Sequence, residues 1–284
     1  MRNTPTAFAS VAPAFAVLGL VVCSPVFYAF WFSLHRVEYG APTYFAGFLN
    51  YARLLDDDAI PATMGRTAFH TGMSVLLTIA IALLLAVRIH RMPPSLGFVV
   101  QTIVIVPWII STVVATLLFR WVFVNDIGVA AYFMSLIGIR GEPLASASGA
   151  MALLIGVSVW KRIGYAMIVL LAGLKSIPDD FYEAARIDGA SPWQIFSYIT
   201  LPLLKTPLLL VAVVLTLANI NTVETPLILT GGGPADATRI LAIDVYERAF
   251  AIFDLGTATS LALVMFAGNI LLVLVYVKAS RWRA

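Results

Sequence analysis

Three charged side chains stand inside long apolar runs of this sequence. Lys161 and Arg162 lie about halfway along one run, and Glu224 lies towards the end of another. A charge near the centre of a bilayer costs on the order of 2.5–3.5 kcal/mol on insertion scales, so such groups normally face a polar cavity or a partner. They could bind a polar or charged solute, or they could brace two helices against each other. The sequence leaves both interpretations open.

Further polar and aromatic groups accompany these charges. Asn219, Asn221 and Thr222 precede the acidic residue, and Asn219 and Thr222 share a helix face at i and i+3. Amide and hydroxyl groups both donate and accept hydrogen bonds, and Trp160 and Tyr165 offer aromatic faces to apolar C–H groups. The set could line a cavity for a hydroxylated solute. Hydrogen bonding between helices is the alternative.

Other kinds of chemistry find no support in the sequence. The chain has 1 cysteine and 3 histidines, and their spacing does not match a metal site. The glycine run 231–233 is followed by Pro234 and not by the lysine of a phosphate-binding loop. We therefore predict no catalytic residue, no metal site and no cofactor in this chain. Any ATP hydrolysis must come from another polypeptide.

The elements that hold the polar residues are predicted to be membrane helices. Of 284 residues, 61% are hydrophobic and 12% are charged, against about 25% charged in soluble domains, which excludes a soluble globular fold. The net charge of +3 is dispersed, so the sequence does not indicate nucleic-acid binding. Six runs reach the ~20 residues that span a bilayer. We predict one transmembrane domain over residues 1–284, with helices at about 11–34, 67–87, 98–119, 150–174, 207–229 and 256–277.

The basic residues beside these runs predict the orientation of the chain. Cations outnumber acids on the side that holds both termini, and acids outnumber cations on the other side. Because positively charged flanks stay in the cytoplasm, we predict a multi-pass protein with both termini cytoplasmic. The cations on the cytoplasmic side are Arg2, Arg88, Arg91, Lys175, Arg186, Lys205, Lys278, Arg281 and Arg283.

The loop between the fourth and fifth runs, residues 176–202, carries clear local signals. Pro178 followed by two aspartates is typical of a helix start, because proline needs no donor there and acids favour the positive end of the dipole. Gly189 suits the left-handed conformation that ends a helix, and Ser191 followed by proline is typical of an N-cap. We predict two short helices around a sharp turn.

The first of these loop helices has a face suited to a close partner. Phe181, Ala184 and Ala185 fall at i, i+3 and i+4, and the two alanines allow a neighbouring surface to approach. The alternative is an interfacial helix that lies on the bilayer. The second helix is expected to end at Pro202.

The loop resembles the EAA loop of permeases from binding-protein-dependent ABC importers. The resemblance implies that this bent helix docks into a cleft on a cytoplasmic ATPase subunit and transmits its closure to the membrane helices. In that interpretation Glu183 makes polar contacts at the joint, Ala184 and Gly189 allow close packing, and Leu201-Pro202 connects rigidly to the fifth span. The matching residues are Glu183-Ala184-Ala185, Asp188-Gly189-Ala190, Phe196, Ile199 and Leu201-Pro202.

The resemblance also implies the fold and the partners. The fold would be all-α, with the six transmembrane helices of the type I ABC importer permeases and a cytoplasmic coupling helix between helices 4 and 5. The chain would lie in the cell (inner) membrane. Its partners would be a second homologous permease, two ATPase subunits that bind ATP and Mg, and an extracytoplasmic sugar-binding protein.

A second resemblance lies between the last two runs. Leu229-Thr230-Gly231-Gly232-Gly233-Pro234, followed by Tyr246 and Phe250, is similar to the outer segment of the carbohydrate-type branch, as is Leu171-Ala172-Gly173-Leu174. The likeness is to the first permease of pairs that import maltose, lactose or glycerol 3-phosphate. It implies that residues 230–255 receive the binding protein and gate the path, with Gly231, Gly232, Gly233 and Pro234 forming a tight re-entrant turn.

The resemblance implies a sugar or sugar derivative as the solute. The family often has aspartate where this chain has Glu224, so the sugar itself stays unidentified. The two cations suggest a narrower interpretation, an anionic glycoside, while an ion-coupled secondary carrier is the alternative from another class. The predicted path residues are Trp160, Lys161, Arg162, Tyr165, Asn219, Asn221, Thr222 and Glu224.

Overall fold

The computed structural model describes residues 4–38, 40–124, 128–136 and 143–281. Most of them are helical, and an antiparallel hairpin of β1 (His35–Glu38) and β2 (Ala41–Phe45) lies in a stretch predicted as an outer loop. The helices are α1 (Thr4–Ser33), α2 (Leu49–Leu55), α3 (Ala59–His90), α4 (Pro94–Ile109), α5 (Thr112–Phe123), α6 (Val129–Leu136), α7 (Ala147–Lys175), α8 (Asp179–Ile187), α9 (Pro192–Ile195), α10 (Leu201–Leu203), α11 (Lys205–Ile220), α12 (Glu224–Leu229), α13 (Leu241–Phe250) and α14 (Leu255–Arg281).

Four of these helices are long and apolar enough to cross a membrane, namely α1, α3, α7 and α14. Two further candidates are bent pairs. Helices α4 and α5 meet at 94°, and the helical segment Pro192–Leu203 meets α11 at 66°. The described part of the chain therefore contains six spans if each bent pair counts as one.

The third predicted span is broken. The sequence predicts one helix over 98–119, but α4 ends at Ile109 and α5 begins at Thr112. Pro107 lies in the last turn of α4 and cannot donate a backbone hydrogen bond. The two residues between α4 and α5, Ile110 and Ser111, have extended backbones, with ψ of 142° and 134°. An uninterrupted apolar run does not mark such a break, because hydropathy reports burial in lipid and not helix continuity.

Other helix ends also depart from the predicted spans. The run predicted over 207–229 is divided between α11 and α12, with residues 221–223 outside both helices. Helix α3 continues well past the predicted 67–87 at each end. A hydrophobic run marks the part of a helix that crosses hydrocarbon, while the backbone ladder continues into the polar flanks.

One compact unit comprises residues 1–60 and 244–268. Its central polar contact is Asn50, which is fully buried and donates to the carbonyl oxygens of Ser33 at 2.8 Å and His35 at 2.9 Å. Gly256, at the start of α14, packs at the same point, since a Cβ there would lie 2.6 Å from the His35 oxygen. The ends of α1, α2 and α14 therefore meet around one amide side chain.

The other unit comprises residues 61–243 and 269–284. Its main core packs α3, α7 and α11 together, with Ala82 and Ala86 of α3 among the buried contacts. Gly164 of α7 approaches α4 so closely that a Cβ would lie 2.4 Å from the carbonyl oxygen of Val104. Helix α7 thus packs against three other helices of this unit, and it also carries Lys161 and Arg162.

Candidate functional site

The loop between α7 and α11 folds locally much as its sequence predicts. Helix α8 begins at Asp179, directly after Pro178. Gly189 has φ of +76°, the left-handed conformation that favours glycine. Ser191 then caps α9 in a capping box, in which its backbone N–H donates to Oε1 of Gln194 at 2.7 Å. These signals set the turn between α8 and α9.

Helix α8 has no buried residue within this chain. Phe181 is 50% exposed and Ala184 is exposed as well, while Ala185 is half-buried. Glu183 and Asp188 are also exposed. The apolar face predicted at Phe181 and Ala184 therefore has no cover from the described residues of this chain, which leaves it accessible to a partner.

The predicted end of the second loop helix at Pro202 is wrong. The helical backbone continues from α9 through a π-helical turn, Phe196–Thr200, into α10, which contains Pro202. Pro202 donates no backbone hydrogen bond, but the backbone stays helical on both sides of it, so it does not end this helix. The chain bends at Leu204 instead, which is fully buried.

Lys161 lies at the break between α4 and α5. Its Nζ donates to the carbonyl oxygen of Pro107 at 3.3 Å and to that of Ile110. These carbonyls belong to the last turn of α4 and the residue after it, where a helix leaves acceptors without partners. The ammonium group thus supplies hydrogen bonds that a continuous helix would have made.

Arg162 makes a similar contact with the end of another helix. Its Nη2 donates to the carbonyl oxygen of Ala218 in α11 at 3.2 Å, and Nη1 donates to that of Ser158 at 3.4 Å. The guanidinium therefore links α7 to α11 within the same unit. Among the described residues, no carboxylate oxygen lies within 4 Å of either Lys161 or Arg162.

Glu224 is exposed at the start of α12. Among the described residues, no ion pair joins Glu224 to Lys161. A contact brace between them, one of the two interpretations of these charges, is therefore not formed in this conformation. The carboxylate stays accessible to solvent or to a partner.

The amide side chains near Glu224 differ in their environment. Asn219 is fully buried, and its Nδ2 donates to the carbonyl oxygen of Leu215 at 2.8 Å, so it bonds to its own helix. Asn221 is exposed, donates to the Leu217 oxygen at 2.7 Å and accepts from Nδ2 of Asn269 at 3.2 Å. Thr222 is buried. Of the three, Asn221 is the exposed one.

The aromatic residues predicted to line the path each pack on a ring from the bent pair. Trp160 meets Phe119 edge to face, with ring centroids 5.0 Å apart, and Tyr165 stacks on Trp108 at 5.8 Å. Both partners belong to α4 or α5. The break at Ile110 therefore lies between two aromatic contacts with α7, next to Lys161.

The glycine-rich segment forms a closed turn. Gly231 and Gly232 have φ of +63° and +87°, which a side chain would oppose. The Thr238 hydroxyl lies 2.6 Å from that of Thr230 and donates to the carbonyl oxygen of Gly233 at 2.9 Å. The predicted tight turn is present, and helix α13 follows it.

Two arginines outside the predicted site hold this segment. Arg120 donates to the carbonyl oxygen of Ile228 at 3.0 Å, and Nε of Arg66 donates to that of Arg239 at 2.9 Å. Neither arginine was singled out from the sequence. Their acceptors are backbone carbonyls more than 100 residues away, for which a sequence carries no local signal.

Comparisons with known proteins agree with this arrangement. A family profile described as "Binding-protein-dependent transport system inner membrane component" matches residues 74–282. The chain is 32% identical over 278 residues to the sulfoquinovosyl glycerol transport system permease SmoG of Agrobacterium fabrum, covering 95% of this chain and 89% of that protein. It is 31% identical to the trehalose/maltose transport system permease MalF of Thermococcus litoralis, covering 99% and 96%.

A further relative and a solved structure complete the comparison. The sn-glycerol-3-phosphate transport system permease UgpA of Agrobacterium fabrum is 31% identical over 257 residues, covering 90% of this chain and 87% of that protein. A chain of a bacterial ABC transporter involved in the import of the acidic polysaccharide alginate superposes with a TM-score of 0.85 at 23% identity, covering 98% and 96%. That likeness confirms the predicted fold class.

Proposed function

The chain belongs to the binding-protein-dependent transport system inner membrane component family, and from that premise we propose that it is a transmembrane subunit of an ATP-driven sugar importer. Paired with a second permease, it would form the path for a sugar or sugar derivative delivered by an extracytoplasmic binding protein. The solute moves unchanged, so this chain performs no catalysis. Two separate ATPase subunits would bind ATP and Mg and hydrolyse the nucleotide.

The observation that carries this proposal is the loop at residues 176–202. Its helix α8 presents Phe181 and Ala184 on a face that the described residues of this chain leave uncovered. Gly189 and the Ser191 cap set a sharp turn directly after that helix. A short helix with an open apolar face and a sharp turn after it suits docking into a cleft of an ATPase subunit.

The proposed mechanism is alternating access. ATP binding closes the two ATPase subunits, and the motion passes through α8 and its counterpart in the second permease. Leu201 and Pro202 lie in the helical segment that leads into the bend before α11, so displacement of α8 would move that membrane helix. The solute enters from the binding protein while the cavity faces outward, and it leaves inward after hydrolysis.

We extend the proposal to anionic glycosides. An ammonium group has three donors, and two of those of Lys161 are used on backbone carbonyls, which leaves one for a solute. No carboxylate among the described residues neutralises that charge by direct contact. Two relatives carry names of transport systems for anionic solutes, sulfoquinovosyl glycerol and sn-glycerol-3-phosphate.

The outer turn at Gly231 to Pro234, with α13, is proposed to meet the binding protein. Helix α13 ends in Tyr246 and Phe250, which are both exposed and whose ring centroids lie 5.1 Å apart. The prediction of one domain over residues 1–284 with cytoplasmic termini belongs to the same proposal. The basic residues Arg2 and Arg283 lie outside the described residues.

The test is uptake of labelled sugars into proteoliposomes that contain the whole complex and its binding protein. The panel should pair neutral glycosides with sulfonated and phosphorylated ones, with ATP inside the vesicles or absent. We expect uptake only with ATP. We expect the sulfonated or phosphorylated glycosides to be taken up in preference to the neutral ones. Uptake without ATP that stops when ion gradients are collapsed would contradict the proposal and favour a secondary carrier.

A further inference from the structure

A cavity of about 510 Å³ lies between the end of α3 and the loop at residues 176–202. Its size falls within the range of about 300–1,000 Å³ that is typical of small-molecule sites. Every residue that lines it belongs to the unit formed by residues 61–243 and 269–284. None of these residues belongs to the predicted solute path.

The rim of this cavity carries more positive than negative groups. His90 and Arg91 come from the last turn of α3 and the residue after it, Arg186 comes from α8, and Asp179 is the single carboxylate of the lining. Among the described residues, the side chains of Arg91 and Arg186 make no hydrogen bond or ion pair. Two guanidinium groups without partners at one cavity can bind a phosphate through paired, charge-assisted hydrogen bonds.

The floor of the cavity is apolar. It is formed by Val87 of α3, Leu174 of α7, and Ile195 and Phe196 of the second loop helix. Leu174 belongs to the buried core, so the floor is fixed by the packing of the membrane helices. A cationic rim above an apolar floor matches a ligand with an anionic head and an apolar body.

Helix α8 presents different faces to this cavity and to its surroundings. Asp179, Tyr182 and Arg186, at i, i+3 and i+7, line the cavity. Phe181 and Ala184 do not line it and are exposed. A ligand in the cavity would therefore contact α8 on one side and leave its face at Phe181 and Ala184 free, although Ala190 and Phe196 of the matching pattern also line the cavity.

We propose that this cavity binds the phosphate of an anionic ligand between Arg91 and Arg186. The headgroup of an anionic phospholipid is the source that suits the apolar floor, because anionic lipids of the cytoplasmic leaflet gather at basic pockets between membrane helices. A free phosphate shares the same chemistry. The cytoplasmic position rests on the proposed function, while the cavity and its charges do not. A bound lipid would tie α8 to the end of α3 and so set the position of the coupling helix.

Native mass spectrometry of the detergent-purified complex tests this site directly. The complex is titrated with phosphatidylglycerol or phosphatidylcholine, and the lipid that remains bound is counted. We expect preferential retention of phosphatidylglycerol, and about a tenfold loss of its affinity in the double variant Arg91→Gln/Arg186→Gln, since the charge-assisted bonds to the phosphate are removed. Arg88→Gln is the matched control, because Arg88 is an exposed cation of the same helix end that does not line the cavity.

A second double variant shows whether a loss of lipid binding comes from misfolding. Arg91→Lys/Arg186→Lys keeps both charges, so we expect it to recover part of the lost affinity. Competition by inorganic phosphate, with no preference between the two lipids, would support the site and assign it to a soluble phosphate. Equal phosphatidylglycerol retention in the wild type and the double Gln variant would overturn the proposal.

Lipid binding and transport are read separately, so the two proposals can fail separately. Lipid retention that depends on the two arginines, in a complex whose uptake does not need ATP, would contradict the proposed function alone. ATP-dependent uptake, with lipid retention that is indifferent to both arginines, would contradict the lipid site alone.

Discussion

Lys161 and Arg162 are adjacent in the sequence, yet each serves a different helix end. Lys161 donates to two carbonyl groups at the break between α4 and α5, and Arg162 donates to the Ala218 carbonyl near the end of α11. Both contacts satisfy backbone acceptors that interrupted helices leave open. The two cations thus help to position broken spans, and the proposed solute contact would use the remaining donor of Lys161.

A prediction follows for Lys161. Replacing it with methionine keeps the apolar stem but leaves the carbonyls of Pro107 and Ile110 without their donor. Leaving a buried acceptor unsatisfied costs about 1–3 kcal/mol. We expect the thermal unfolding midpoint of the detergent-solubilised complex to fall. Lys175→Met, at an exposed position of the same helix, is the control, and equal midpoints for the two variants would contradict the role given to Lys161.

The sequence was sufficient to single out these charges but not to identify their partners. Mid-run cations are visible to any hydropathy reading, because they stand out against apolar neighbours. Their acceptors are carbonyl groups that become available only where α4 stops, and that stop depends on the backbone around Pro107. Asn219 shows the same limit, since its pattern predicted a path residue and its amide donates to its own helix.

At the scale of helices, the close approach of α7 to α4 fixes the bent third span. Gly164 lies directly against the backbone of Val104 and Ile105, where a Cβ would lie 2.4 Å and 2.8 Å from their atoms. Gly156, two turns earlier on the same helix, has no atom within 4 Å of such a Cβ. Substitution of Gly164 therefore tests packing against α4, and substitution of Gly156 tests helix propensity alone.

Gly164→Ala is expected to destabilise the complex, because the backbone of α4 cannot move aside as a flexible side chain could. Overpacking of this kind typically costs about 1–3 kcal/mol. Gly156→Ala should be neutral or slightly stabilising, since alanine is the better helix former. Thermal unfolding midpoints and the yield of assembled complex provide the measurement. An equal fall of the unfolding midpoint in both variants would show that the contact with α4 does not limit stability.

The loop at residues 176–202 shows how far local signals reach. The left-handed Gly189 and the cap at Ser191 followed from residue types alone, because their geometry is set within a few residues. The end of the second helix did not follow, because Pro202 lies inside a helical backbone that continues through a π-helical turn. Where the chain bends depends on the burial of Leu204 against other helices, which residue types do not reveal.

Cross-linking can test which face of α8 meets the ATPase in the proposed complex. In a complex whose exposed native Cys23 is replaced by serine, Ala184→Cys should cross-link efficiently to the ATPase subunit. Tyr182→Cys, on the side that lines the cavity between the end of α3 and the loop at residues 176–202, should cross-link to the ATPase subunit at least several-fold less. Preferential cross-linking of Tyr182→Cys would place the ATPase on the opposite face and contradict the docking proposal.

At the scale of the whole molecule, the chain offers many apolar surfaces that it does not cover itself. Phe15, Phe27 and Trp31 of α1 are exposed, as are many residues of α14. In the proposed complex, lipid and a second permease would cover such surfaces. The family and the fold class could be predicted from the sequence, because one loop of about twenty residues carries the pattern that resembles the family's EAA loop. The solute could not, because in the proposed path its contacts would come from side chains on several helices and from other chains.

The most direct test of the account is the rate of ATP-driven solute import by complexes that carry Glu183→Ala. Glu183 is exposed on α8 and is proposed to make an ionic or polar contact with the ATPase. Loss of a hydrogen bond to a charged group is worth about 1.5–3 kcal/mol, so we expect import to fall about tenfold while the permease pair still assembles. Asp180→Ala, an exposed acid on the same helix outside the docking pattern, should import like the wild type. ATP-driven import by Glu183→Ala at the same rate as by Asp180→Ala would contradict the claim that this loop drives transport.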